Sequence, residues 1–142
     1  RQMCIRDRYG IAGTYQITIK GTNLTSFILE ERNVKNINVT KAPNLVVLSL
    51  YLNEIKELDV SKNTNLTYLM CANNELSSLD ISNNLTLKLL DCSDNNPFSE
   101  TSFKELLNDL PNRNNSSKGY LYIDNPNNWD VSTAENKGWQ VN

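Results

Sequence analysis

Residues 45–63, LVVLSLYLNEIKELDVSKN, and residues 66–84, LTYLMCANNELSSLDISNN, carry one pattern twice at an interval of 21. Each opens on a leucine (Leu45, Leu66), sets a second three positions on (Leu48, Leu69) and a third apolar residue two further (Leu50, Cys71). An asparagine follows at Asn53 and Asn74, then Ile55 and Leu76, then Leu58-Asp59-Val60-Ser61 or Leu79-Asp80-Ile81-Ser82, and a last asparagine at Asn63 or Asn84. Working outward, the same interval catches Leu24, Phe27, Leu29, Val34, Ile37 and Val39 on one side. On the other it catches Leu87, Leu90, Cys92 and Asn95, and the pattern stops at Asn96-Pro97. One L-x-x-L-x-L could come from any helix or strand; four copies at a fixed interval mean a repeat array.

Within each unit the x-L-x-L-x segment alternates, which places the leucines on one face of a strand and the residues between them on the other. No single unit can bury its leucine face. The units must stack, their strands pairing in parallel about 4.8 Å apart and their leucines merging into one core. Asn53, Asn74 and Asn95 stand where the chain turns away from the strand, and a side-chain amide there offers a donor and an acceptor to backbone groups that the turn leaves unpaired. Arg32 takes that position in the first unit and marks it as atypical. Asn63 and Asn84 suit the second corner, and units of 21 residues leave room only for short extended or 3₁₀ pieces on the return side. The expected fold class is α/β: a solenoid with a short parallel β-ladder on its concave face, a β-rich N-terminal start and a mixed helix and strand cap.

The flanks read differently. Tyr15, Ile17 and Ile19 in TYQITIKG alternate as a strand that would extend the sheet. Beyond Pro97, Ser99 is a candidate N-cap with Phe98 placed to staple onto Phe103, and Phe103, Leu106, Leu107 and Leu110 share one helical face up to Pro111. Residues 119–123, GYLYI, read as a strand, Ser132-x-x-Glu135 as a capping box for a short helix, and Gly138 as its C-cap. The expected boundaries are 9–23 for an N-terminal strand or cap, 24–97 for four repeats and 98–142 for a C-terminal cap. Residues 1–7, RQMCIRD, read as the translation of a sequencing adapter, so residues 1–8 are expected to be foreign to the natural chain, which would begin further upstream.

Composition narrows the function classes. The 142 residues include 23 Asn and 19 Leu against 5 Gly and 4 Pro, so asparagine replaces the commoner turn residues. The charges sum to −2 with no run of either sign, and neither nucleic acid nor anionic lipid is an expected partner. No apolar stretch approaches the roughly 20 residues that span a bilayer, so no transmembrane segment is expected. The chain has no histidine, which removes the usual proton shuttle and nucleophile-activating base; no enzyme and no cofactor are expected.

Three constellations could still carry chemistry. Cys71 and Cys92 occupy consecutive ladder positions, within reach of a disulfide or a metal pair, but they stand where the alternative residue is leucine and read as buried free thiols. Asp59 and Asp80 recur at one offset like an acid and base, yet belong to the repeated L-D-[VI]-S element, where Asp accepts local backbone hydrogen bonds. The loop from Asp124 to Asp130 gathers oxygen ligands without any calcium-binding spacing and reads as an Asn-rich turn presenting Trp129. No metal site is expected.

With these residues in place, the chain resembles the leucine-rich-repeat proteins of bacterial cell surfaces, the internalin-like class. The L-x-C-x-x-N and L-D-[VI]-S elements and the ending LP…YLYI…AENKGWQV carry the likeness over about residues 15–142. The resemblance implies an extracellular or surface-displayed monomer that adheres to a protein or glycan, with any signal peptide lost upstream; the ligand does not follow from the scaffold. A second use of such a scaffold is as a spacer or accessory domain of a larger exported protein or enzyme.

The two uses differ in what the concave face must show. Alternation turns Ser26, Ile28 and Glu30 outward, then Val47, Ser49 and Tyr51, then Tyr68, Met70 and Ala72, then Leu89, Asp91 and Ser93. A spacer needs only small polar residues there. The expected ligand-binding residues are Ile28, Glu30, Val47, Ser49, Tyr51, Tyr68, Met70, Leu89 and Asp91, with Tyr51, Tyr68 and Met70 as anchors on adjacent strands.

Overall fold

Phe27, Leu48, Leu69, Leu90 and Leu121 stand opposite one another on consecutive parallel strands, and all five are fully buried. The computed structural model describes residues 2–4, 16–125 and 128–142, with Gln2–Cys4 and Gln16 described by their backbone only. In chain order the elements are β1 (Gln2–Cys4), β2 (Gln16–Lys20), β3 (Ser26–Ile28), β4 (Asn36–Lys41), β5 (Val47–Ser49), β6 (Tyr68–Met70), β7 (Leu89–Asp91), α1 (Glu100–Asp109), β8 (Gly119–Tyr122), α2 (Ser132–Asn136) and β9 (Trp139–Val141). Among the described residues the strands form a seven-stranded sheet, ordered β1-β3-β5-β6-β7-β8-β9, and a separate pair, β2-β4; every pairing is parallel. This is a mixed α/β chain built on parallel strands.

Two flanking readings change. Gln16–Lys20 of TYQITIKG form a strand, Tyr15 lying outside the described residues, but the strand does not extend the long sheet: β2 pairs with β4 on the return side, Ile17 opposite Ile37. Alternation reports an extended segment without saying which sheet receives it, and the apolar Ile37 and Val39 of the first unit supply the partner. At the N-terminal edge of the long sheet the backbone of Gln2–Cys4 pairs with β3, within the stretch read as adapter-derived. Such pairing uses main-chain groups and makes little demand on side-chain identity.

At the other end the expected cap continues the ladder. Leu121 follows Leu90 in register across α1, and Val141 follows Leu121 across α2. The helices therefore stand where earlier units have turns.

The asparagines join the units. Asn74 donates through Nδ2 to the carbonyls of Leu50, Cys71 and Ala72 and accepts from the Ile55 amide at 3.0 Å, so one side chain bonds its own unit and the preceding one. Asn53 and Asn95 repeat the arrangement, with Val34 and Leu76 as the donors to their Oδ1 atoms. At the second corner the fully buried Asn63 and Asn84 donate to Val39 and Ala42, and to Val60 and Asn63, respectively. Between the strand and the ladder position lies a residue in the left-handed region, Glu31, Leu52, Asn73 and Asp94 in successive units, all at φ between 51° and 56°. Asn and Asp tolerate this conformation; Leu and Glu do so at greater cost.

The C-terminal elements are tied down by polar groups. Ser99 caps α1, its Oγ accepting from the Ser102 amide at 3.0 Å, and Phe103, Leu106, Leu107 and Leu110 are buried as expected. Lys137 places its ammonium on the carbonyls of Leu107, Asn108 and Leu110, neutralising the negative end of the helix. The buried Arg113 donates to the carbonyls of Leu87 and Ser117, linking the segment after α1 to the fourth unit. Trp139 lies over Gly119 and donates to the Pro111 carbonyl at 2.8 Å, and a Cβ at Gly119 would fall 2.5 Å from the indole. The expected capping box on α2 is absent: Ser132 lies one residue inside, its amide and hydroxyl both bonded to Asp130. Gly138 does end that helix, at φ 82°.

Two stability measurements follow. Asn74→Ala strands buried carbonyls and the Ile55 amide and is expected to cost about 2–4 kcal/mol in denaturant unfolding, against no more than about 0.5 kcal/mol for Asn44→Ala at an exposed corner. Equal effects would dissolve the argument for a buried amide ladder. Leu52→Asn keeps the left-handed turn with a residue suited to it and is expected to raise stability by about 0.5–1 kcal/mol; a loss of that size would mean Leu52 contributes packing that outweighs its conformational cost.

Candidate functional site

The sheet has one face on the core and one turned away from it, and strand register arranges the outward residues in rows. Along the first row run Ser26, Val47, Tyr68, Leu89, Tyr120 and Gln140. Along the second run Ile28, Ser49, Met70, Asp91 and Tyr122. Just past the strand ends lie Glu30, Tyr51, Ala72 and Ser93, two residues beyond Ile28, Ser49, Met70 and Asp91.

The nine expected residues thus share one face, but unequally. Tyr51 and Tyr68 are exposed, at 38% and 41%; Ile28, Val47, Met70, Leu89 and Asp91 are half-buried. Ser49 is 2% exposed, and its hydroxyl donates to Glu30 Oε1 at 2.5 Å. Its place is beneath Glu30, where it orients a carboxylate. Ala72, opposite Tyr51 in the next unit, is also buried, so that row is interrupted.

Two exposed rings on the same face were not among the expected residues: Tyr120 and Tyr122, on β8. The signal was present in the alternation of GYLYI, but its 21-residue register is broken by the insertion of α1, so only the pairing with β7 places these rings beside Leu89 and Asp91. Across three successive strands the first row runs Tyr68, Leu89, Tyr120, two tyrosines flanking a leucine.

The other constellations resolve into local structure. Asp59 and Asp80 each accept from the serine amide two residues on, at 2.9 Å. The serine hydroxyls and then the amides hold both carboxyls below the ordinary range, the opposite of what a proton donor needs. Cys71 and Cys92 are free and buried, and burial raises both thiols, which removes the thiolate that metal binding or nucleophilic attack requires. Trp129, expected to be presented by its turn, instead packs edge-on against Phe103 with ring centroids 5.2 Å apart, while Asn125 closes the turn by bonding the Trp129 amide and carbonyl. Pro126 and Asn127 of that loop lie outside the described residues. Among the described residues no group of acidic, Cys or His side chains is placed to hold a metal ion, and no helix is long and apolar enough to cross a membrane.

On the return side a cleft of about 420 Å³ runs between the third unit and α1, lined by Asp80, Glu105 and Asp109 with serines and Asn108. It contains neither an aromatic platform nor a cation, and the Asp80 carboxylate is occupied by Ser82. Burial, and then the nearby charge of Asp80, raise the Asp109 carboxyl above its ordinary value.

Comparison with known proteins adds little beyond this geometry. No family model matches the chain, and no curated protein matches it. Among solved structures it is similar to the functional domain of InlJ from Listeria monocytogenes, described as including a cysteine ladder, at 24% identity and a TM-score of 0.47. The match covers 82% of this chain and 32% of that one, so the chain spans about a third of the length of that structure.

Asp109 gives a pH-dependent prediction. Because its folded pKa is raised, the folded state holds the proton more tightly than the unfolded chain, and ionisation at neutral pH costs stability. Asp109→Asn is therefore expected to raise the thermal midpoint at pH 7, the gain fading as pH falls through the raised value and vanishing below the ordinary value of 3.8. A gain that persists in acid would show that the substitution acts through packing.

Proposed function

We propose that the chain is a leucine-rich-repeat solenoid of the internalin-like kind, serving as a non-catalytic recognition module of a secreted or surface-displayed bacterial protein. The concave face of the ladder is the binding surface, and a protein or glycan is its ligand. The observation that carries this reading is the set of outward tyrosines, Tyr68 and Tyr120 flanking Leu89 in one row with Tyr122 alongside, on strands whose opposite faces are locked in the core. Tyrosine presents a large, nearly rigid amphipathic surface at small entropic cost, which is why it is enriched at interface centres. A spacer has no use for such rings in register. The sequence resemblance supports the same reading, as does the absence of histidine from the chain.

The test is binding of the full chain to peptide and glycan arrays, in parallel with a Tyr68→Ala/Tyr120→Ala variant. Loss of about tenfold in affinity for shared ligands with an unchanged thermal midpoint is expected, since both side chains point away from the core. Ligands retained by the variant would move the site to the return side or the C-terminal elements. Failure of both arrays would favour the spacer.

A further inference from the structure

Resting on that recognition reading, we propose that the occupant of this face is a basic segment of a polypeptide, its Lys or Arg side chains gripped by Asp91 among the surrounding tyrosines.

Asp91 is half-buried on β7, directly opposite Tyr122 on β8, and two residues from Leu89, whose neighbours in register are Tyr68 and Tyr120. The Ser93 amide and hydroxyl hold its Oδ1 at 3.2 and 2.7 Å. Its Oδ2 has no hydrogen-bond partner among the described residues. A carboxylate with one oxygen fixed and the other open, beside exposed ring faces, matches an ammonium or guanidinium group: the charge pairs with the oxygen and the π-systems attract the same cation.

The charge pattern of the central strands selects the ligand further. Outward positions of β3, β5, β6, β7 and β8 contain no Lys or Arg, and the two carboxylates past the strand ends, Glu30 and Asp124, each accept one hydrogen bond, from Ser49 and from the Asp94 amide. Several of the chain's cations are engaged elsewhere. Lys35 and Lys56 pair with Glu54 and Glu75, Lys104 with Glu100, and Lys137 with the end of α1. Lys88 is exposed at the rim, one residue before Leu89. A neutral glycan would use the rings but gives no reason for the Asp91 carboxylate beside them; a basic, extended peptide uses both.

The probe is a fluorescently labelled (Lys-Ser)6 peptide, titrated with the full chain at low salt and followed by anisotropy, with (Gln-Ser)6 and (Glu-Ser)6 peptides and chitohexaose as comparators. Saturable binding of the basic peptide alone is expected, weakened about fivefold or more by Asp91→Asn and by Tyr122→Ala. Glu57→Gln removes one negative charge from an exposed position outside the sheet and is expected to change affinity by less than about twofold. Thermal midpoints of the variants establish that each is folded. Equal weakening by Glu57→Gln and Asp91→Asn overturns the proposal, because bulk charge then accounts for the binding. Equal affinity for the neutral peptide, or no saturation by about 1 mM, overturns it too. Tyr122-dependent binding of chitohexaose without binding of the basic peptide would also overturn it, while leaving the recognition face in place.

Discussion

The side-chain amides of Asn53, Asn74 and Asn95 each sit where a strand has just ended and its backbone groups have lost their ladder partners. One amide meets both needs: its NH₂ group collects carbonyls from its own unit and the preceding one, and its oxygen receives an amide from the preceding unit. Neither a shorter nor a charged side chain reproduces this combination of two donors and an acceptor at that reach. Since the bonds cross between units, they set how one unit sits on the next. In-register strands, a continuous leucine core and aligned outward rows all depend on that constraint.

Where the amide is missing, the structure adapts. Arg32 occupies the ladder position in the first unit, and there its backbone amide is taken by Asn53 of the next. Ala42 similarly replaces the second-corner asparagine of the first unit, and Asn63 reaches back to its carbonyl. The repeat is thus supported from its C-terminal neighbour, which lets the first unit drift in sequence while keeping its geometry. Leu52 shows drift of another kind, an exposed leucine held in a backbone conformation that Asn73 and Asp94 adopt with less strain.

Much of this was legible in the residues because periodicity and burial report on the same faces. The leucine positions, the asparagine ladder, the Ser99 cap and the apolar side of α1 all followed from spacing. What spacing did not reveal were choices among equivalent partners. Alternation marked TYQITIKG as a strand but could not choose between two sheets, and Ser132, spaced as an N-cap, lies one residue inside α2, a difference that only backbone position decides. The make-up of the outward face was half legible for a related reason. Tyr68 and Met70 lay on the 21-residue frame, whereas Tyr120 and Tyr122 fell off it, and Ser49 was outward by alternation yet covered by Glu30.

The same break in frame shows where this architecture admits change. Leu90 and Leu121 are neighbours in the sheet although α1 lies between them, just as Leu69 and Leu90 are neighbours across a plain turn. The ladder thus measures the ends of each excursion and is indifferent to its length, because closing a longer loop adds only a slowly growing entropic cost once the ends are held. The return side is consequently the direction in which such a chain can acquire new parts, and α1 is an example of one already accommodated. The outward rows and these excursions thereby lie on opposite sides of the same strand, so that enlarging the return side need not disturb the outward face.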